Sequence, residues 1–359
     1  MVVKVSKPEL NLREKISELD KPSGVAGEAM LRAETPQEQF NLIGAGRRNL
    51  IINGDFRVAQ RATTYTKTAS SWNVYGSVDR WGIYYQNMVV AQNSGVINGS
   101  YQYYVSVGNT GAAPDNHFIY QKIESGSRIV SGKPITISFM AKSANSTELR
   151  LRGRFMDSAT TSGSVNSGQK TFNLTPEWQS FDWTFTPVDT SANLTRDFLI
   201  IVDTEITNDT VSDIYDLTNF QIELGKVATP FEHRSYGEEL ALCQRYCYVI
   251  GHPSQVIYLG TGSMYTTTAV NLSVPLPVQL RHNSPSFTRV ANGTGNWLNV
   301  YVGATGTVSN AAPLQGDYTQ SNMRIYIPGA HSGSSPSAAG AGVWSMVLAG
   351  AQLIIHAEL

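Results

Sequence analysis

Two pairs of carboxylates come nearest to acid–base chemistry in this chain: Asp203 with Glu205, and Asp213 with Asp216. On an extended strand, residues two apart share a face, so Asp203 and Glu205 would point the same way. Paired carboxyls flanking a bond are the machinery of glycoside cleavage. Acidic residues on the solvated face of a strand show the same spacing, and that is the reading adopted; no catalytic residue is assigned. The six histidines, His117, His233, His252, His282, His331 and His356, are scattered along the chain. No Gly-x-Ser-x-Gly elbow, His-Glu-x-x-His pair or phosphate-binding glycine loop occurs. Cys243 and Cys247 stand four apart in SYGEELALCQRYC. With Leu240 they make an i, i+3, i+7 stripe, which reads as buried thiols behaving as small hydrophobes. A metal site would need further ligands beside them.

Recognition chemistry is better supplied than catalysis. The chain carries 17 Tyr and 6 Trp among only 15% charged residues, well below the usual share of about a quarter. An aromatic ring can stack on the C–H face of a sugar while neighbouring Asn, Gln or Asp side chains bond its hydroxyls. Tyr with Ser, Gly and Asn is also the make-up of other adaptable binding surfaces. Most of these rings must fill cores. Two long Gly/Ser/Ala-rich stretches near the end, 303–322 and 328–342, are expected to be loops, and long loops in compact domains tend to carry function. In and beside them stand Trp297, Tyr301, Tyr318, Asn322 and His331, the candidate receptor contacts. Trp344 could serve a core or a surface.

Several elements must position these residues. At 359 residues, two domains and an arm are expected. The formal net charge is −1, which gives no electrostatic case for nucleic acid as a partner. No apolar run is long enough to span a membrane, and the charged first segment lacks the apolar stretch of a signal peptide. Of the 55 Lys, Arg, Asp and Glu, 15 precede Asn49, which sets residues 1–48 apart as an arm. Leu12, Ile16 and Leu19 form one helical stripe there. A second short helix, capped at Thr35, would carry Phe40. Short helices of this kind need a partner surface. Residues 49–232 alternate in short runs such as ITISFMAK and FDWTFT, the pattern of an antiparallel β-sandwich with one face buried. Residues 233–247 predict a linker helix with Ser235 as N-cap and Glu238 completing a capping box. Residues 248–359 return to β, a second sandwich. The fold class is therefore mainly β.

Three stretches carry a family resemblance: NLIINGDFRVAQR from Asn49, DRW at Asp79–Trp81, and DLTNFQIELGKVATPFEHRSYGEELALCQRYCY from Asp216 to Tyr248. Together they resemble the tail-fibre and receptor-binding proteins of tailed bacteriophages. The early NGDF turn and the closing strand NFQIELG also resemble jelly-roll carbohydrate-binding modules over about half the chain. What the resemblance implies is a homotrimeric fibre of the virion, made in the host's bacterial cytoplasm. The arm would hold a tail adaptor or nozzle protein through Leu12, Ile16, Leu19 and Phe40. Leu240, Cys243 and Cys247 would line the trimer axis, and the C-terminal domain would form the tip that meets host polysaccharide or lipopolysaccharide. On the jelly roll, Trp81, Tyr84 and Tyr85 are the candidate sugar contacts. No cofactor is expected beyond a structural Ca²⁺, for which Asp55 and Asp216 are candidate oxygen ligands. The rival readings are a carbohydrate-active enzyme or its binding module, and a purely structural spacer. A site binding at about 1 mM yields only about −4 kcal/mol. Three such sites per trimer would raise effective affinity by roughly 10²–10⁴.

Overall fold

The computed structural model describes residues 48–358 apart from 70, 73, 85, 110–117, 146–147, 158–163, 191–194, 205–212, 282–284, 303–304, 319–321 and 331–341. The first part of the chain runs β1 (Thr64–Lys67), β2 (Gly82–Ile83), β3 (Met88–Ile97), β4 (Ser100–Asn109), β5 (Phe118–Ile123), a short helix α1 (Gly126–Val130) and β6 (Ile135–Lys142). It continues through β7 (Glu148–Met156), β8 (Val165–Asn173), β9 (Gln179–Phe185), β10 (Asp197–Thr204) and β11 (Asp213–Leu224).

These strands form two sheets, ordered β1-β3-β4-β11-β6-β9 and β2-β5-β10-β7-β8. Every pairing is antiparallel. β4 pairs with β11, β5 with β10, β6 with β9 and β7 with β8. That is the nesting of one long hairpin. Closing β11 on β6 and β10 on β7 rolls the hairpin into two facing sheets, a jelly roll. The expected alternation holds in β9, whereas in β6 Thr136 and Met140 of the other face are buried as well. Ile135, Ile137 and Phe139 of β6 are buried against Phe181, Trp183 and Phe185 of β9 in the inter-sheet core. The β3–β4 connection is the two-residue turn Asn98–Gly99, both with positive φ, as an Asn-Gly hairpin requires.

The segment 49–60 forms no strand. Asn53 and Phe56 take left-handed backbone angles, which an extended strand does not accommodate. Side chains supply the missing backbone partners instead. Asn49 Oδ1 accepts from Ile51 N and Ile222 N, and Gln121 bonds both N and O of Ile52 at 2.8 Å. Gly54 is required by proximity: an added Cβ would lie 2.1 Å from the carbonyl oxygen of Phe220.

Helix α2 (Tyr236–Gln244) follows, with the expected capping box of Ser235 and Glu238 in place. It does not carry Cys247, which opens β12 (Cys247–Gly251). Nor does its stripe face outward. Cys243 packs with Ile52, Val58 and Tyr246, with Leu240 and Leu242 half-buried around them, and both thiols are fully buried within the chain. Cys243 and Cys247 therefore cannot line a trimer axis; the stripe is the glue between helix and jelly roll.

The rest of the chain is a second antiparallel arrangement: β12, β13 (Ile257–Met264), β14 (Val270–Pro275), β15 (Ser286–Val290), β16 (Leu298–Val302) and β17 (Thr305–Ser309), then β18 (Leu314–Tyr318), β19 (Asn322–Ile327), β20 (Gly342–Val347) and β21 (Gln352–His356). A three-stranded sheet β12-β21-β15 packs on a seven-stranded sheet β17-β16-β20-β13-β14-β19-β18. The stretch 303–322 was expected to be a loop, yet it holds the two edge strands β17 and β18. Their Gly, Thr, Ser and Gln composition hid them. Residues 331–341 of the expected loop 328–342 and residues 1–47 of the expected arm 1–48, with Leu12, Ile16, Leu19 and Phe40, lie outside the described residues. Among the described residues no helix is long and apolar enough to cross a membrane.

Candidate functional site

The outer face of the seven-stranded sheet carries three of the exposed aromatic side chains, Tyr258, Tyr265 and Trp344, among polar ones. Strand alternation builds it. In β20, Val343 and Val347 point into the core while Trp344 stands out, 38% exposed; in β14, Val270, Leu272 and Val274 go in while Asn271 and Ser273 stand out. Register then lines up a row across five strands: Tyr301 opposite Trp344, Trp344 opposite Thr261, Thr261 opposite Ser273, and Ser273 opposite Arg324. Tyr301 and Trp344 stack with ring centroids 4.0 Å apart and planes within 6°. The stack is held in place from both sides. Tyr301 lies over Gly306, where any Cβ would be 2.7 Å from the ring, and its hydroxyl accepts from Asn299 Nδ2 at 2.9 Å. Tyr258, opposite Met346 on the same face, is 54% exposed.

A second aromatic pair closes the other side of this face. Tyr265 and Tyr326 meet edge-to-face at 5.5 Å, and Tyr265 is 60% exposed. Between the two pairs lies a shallow recess of about 300 Å³ lined by Ser263, Asn271, Ser273, Asn322 and Arg324, with backbone from Gly262 and Leu272. Rings at two ends with hydroxyls, amides and a guanidinium between them suit a ligand that offers both C–H faces and hydroxyl groups.

Of the expected receptor contacts, Tyr301 and Asn322 belong to this face. Tyr318 ends the neighbouring edge strand β18, and its side chain lies outside the described residues, as does His331. Trp297 is a correction. It is fully buried in the second core and donates from Nε1 to the carbonyl of Ala311 at 2.9 Å. Trp344, Tyr258, Tyr265, Tyr326 and Arg324 were not chosen from the sequence. The available signal was alternation, since GVWSMV puts Trp344 on the face opposite to two valines.

The jelly-roll candidates fare differently. Trp81 is buried and donates from Nε1 to Asn53 O at 3.0 Å, wedged between Phe56 and Phe220; it cannot meet a ligand. Tyr84 is half-buried, stacked on Phe118 and against Trp72. These rings cover the outer side of the five-stranded sheet, a small second core. Tyr85 lies outside the described residues. Asp55 is bound by Arg57, while Asp216 accepts from Ser106 Oγ and stands 3.5 Å from Lys142 Nζ. Each carboxylate thus has its own cation, and among the described residues no three metal-ligating side chains come together. Asp203 is fully buried and bridged by Arg150 and Arg152, so its expected place on a solvated face was wrong. Glu205 lies outside the described residues, as does the side chain of Asp213.

The three resemblance-bearing stretches converge elsewhere, at the junction of jelly roll, α2 and second sandwich. Asn53 donates from Nδ2 to Val58 O and Asp79 O and accepts from Val58 N, and its own N–H donates to Glu239. Arg234 joins Glu239, Glu232 and the carbonyls of Ile51 and Asn49. Arg80 lies 3.5 Å over the ring of Tyr246 and pairs with Glu358, which also holds Arg61 at 3.2 Å. Gln60 donates to the carbonyl of Cys247. Burial pushes the Asp79 carboxyl up to about 6, against which Arg61 and Gln60 pull down. Burial and neighbouring Arg61 depress His356 to about 4.

No protein-family model matches the chain, and no curated protein matches it. Solved structures similar to part of it include a carbohydrate-binding module, CBM4, at 18% identity over 48% of this chain and 98% of that one, with a TM-score of 0.30. A putative sugar-binding protein from Bacteroides thetaiotaomicron is similar at 14% identity over 50% of this chain and 100% of its own, TM-score 0.33. The enzymatically active domain of a tailspike from bacteriophage CBA120 is similar at 16% identity over 49% of this chain but 21% of its own, TM-score 0.31. Likenesses this slight decide neither fold nor ligand; the jelly roll rests on its own strand pairing.

Proposed function

We propose that this chain is a non-catalytic attachment protein, a homotrimeric tail fibre of a tailed bacteriophage, that binds host surface polysaccharide or lipopolysaccharide through the outer face of its seven-stranded sheet. The observation that carries the binding reading is that face itself. Two aromatic pairs, one a parallel stack, stand on a rigid sheet beside a recess of hydroxyl and amide side chains. A strand-borne site holds its geometry better than a loop-borne one. The fibre reading is supported by the phage-like stretches of the sequence. In it, residues 1–48 anchor the chain to a tail adaptor or nozzle protein, and the three chains meet through surfaces other than Cys243 and Cys247.

The test is an array of bacterial surface polysaccharides probed with the full-length chain and with Trp344→Ala. The wild type should be retained on a subset of glycans and the variant should lose at least tenfold in affinity. Retention of neither, or of both alike, removes this face from the function. Light scattering tests the fibre reading separately. A mass three times that of the 39.2 kDa chain is expected, and a monomer contradicts it. Omitting residues 1–48 should leave glycan binding intact while abolishing incorporation into virions.

A further inference from the structure

The spacing of the two aromatic pairs specifies how a glycan would lie, an inference that rests on the glycan-binding reading above. Trp344 on β20 and Arg324 on β19 occupy one register row, separated by β13 and β14. Three strand spacings of about 4.8 Å put them about 14 Å apart. Tyr326 stands two residues further along β19, a step of about 6.7 Å, so the Trp344 and Tyr326 positions are about 16 Å apart. Ser263, Asn271 and Ser273 of the recess occupy the interval, and Asn322 borders it beyond Arg324. With C–C and C–O bonds near 1.5 Å, one sugar unit in a chain advances roughly 5 Å. A ligand touching both pairs therefore needs at least four units, about three steps of roughly 5 Å, and it must cross the strands obliquely, because Tyr265 continues β13, the strand beside that of Trp344.

We propose that this face binds an internal stretch of an extended polysaccharide, at least four sugar units long, with one ring on the Tyr301–Trp344 stack, another against Tyr265 and Tyr326, and the intervening units over the serine–asparagine recess. Recognition of a chain end would place its contacts around one ring. Here the aromatic contacts are divided between two places, so the gain comes from length. Along a repeating polymer the same contacts recur at every repeat. A fibre could then exchange one stretch for the next without leaving the polymer.

The experiment uses the full-length chain and the polysaccharide it retains on the array, partially hydrolysed and sized into fragments of one to six units. Binding is read by calorimetry. Affinity should rise at least tenfold between fragments of one and of four units and then level off. Tyr265→Ala should weaken the four-unit fragment at least fivefold and leave the single unit unchanged, whereas Trp344→Ala should weaken every fragment. Tyr265 is exposed beyond the end of β13, so its truncation leaves the core intact, and the circular dichroism and melting temperature of the variant confirm that. A single unit binding as tightly as the longer fragments overturns the proposal while leaving the glycan reading standing. So does a four-unit affinity indifferent to Tyr265. Retention of no polysaccharide at all overturns both.

Discussion

Asp79 and His356 sit in one junction and respond to acid in opposite senses. Asp79 titrates near 6 in the fold against 3.8 for an ordinary aspartate, because burial disfavours its charge. The folded state therefore holds this proton more tightly than the unfolded chain does. The stability it contributes is full below about pH 3.8 and is lost as pH rises through 6. His356 is depressed from 6.5 to about 4, so its contribution is full above pH 6.5 and lost as pH falls through 4. The two largely cancel. Melting curves from pH 4 to 7 should show Asp79→Asn becoming steadily more stable with rising pH, and His356→Gln becoming less so. Parallel curves would mean that the two groups are not buried as described. Trp81 illustrates a second residue-scale point. Its indole bond to Asn53 O and its packing between two phenylalanines make it structural. Trp81→Phe should cost about 1–2 kcal/mol in stability and leave glycan affinity unchanged in the same titration.

At the scale of elements, the NGDF turn explains itself through the strand it touches. Phe220 N donates to Gly54 O at 2.8 Å, and the Phe220 carbonyl occupies the space a Cβ at Gly54 would need. Backbone meeting backbone this closely admits only glycine. Gly54→Ala should lower stability by more than about 2 kcal/mol, readable as a shifted denaturation midpoint. An unchanged midpoint would show that β11 can move away. Helix α2 is another element whose role changed once its surroundings were known. Its capping box was readable from Ser235 and Glu238 alone, because capping is local. Its Leu240 and Cys243 were equally readable as an apolar stripe, yet a stripe does not name its partner. Ile52 and Val58, nearly 200 residues earlier, cover them. The edge strands β8, β17 and β18 were missed for a related reason. In β8 only Phe172 is buried, and with so little burial there is hardly any hydrophobic alternation to read.

Across the whole molecule, Glu358 ties the second sandwich back to the jelly roll. Glu358, two residues beyond β21, pairs with both Arg61 and Arg80, and these guanidiniums are buried on the jelly-roll side. Glu358→Gln keeps the shape and removes the charge, leaving two buried cations with one fewer counter-charge. Breaking a buried pair in this way costs on the order of 3–5 kcal/mol. The variant should melt well below the wild type, and the jelly roll and second sandwich should begin to unfold in separate steps. A single transition at the wild-type temperature would show that the junction does not depend on this carboxylate.

The sequence by itself determined the mainly β class, the alternating strands of the jelly roll, the capped helix and the poverty of catalytic motifs. Those are local properties, set by periodicity and by residue types a few positions apart. It also made Tyr301 and Asn322 candidates. Only the tertiary structure decided which aromatics are walls and which are surfaces. Of Trp81, Trp297 and Trp344, two are buried and one stands out on a sheet. The reason is physical. Burial depends on what packs from elsewhere in the chain, and the row Tyr301–Trp344–Thr261–Ser273–Arg324 exists only once five strands are paired in register. The same holds for the phage-like stretches, whose side chains were expected to face ligand and subunits and instead hold the two sandwiches together.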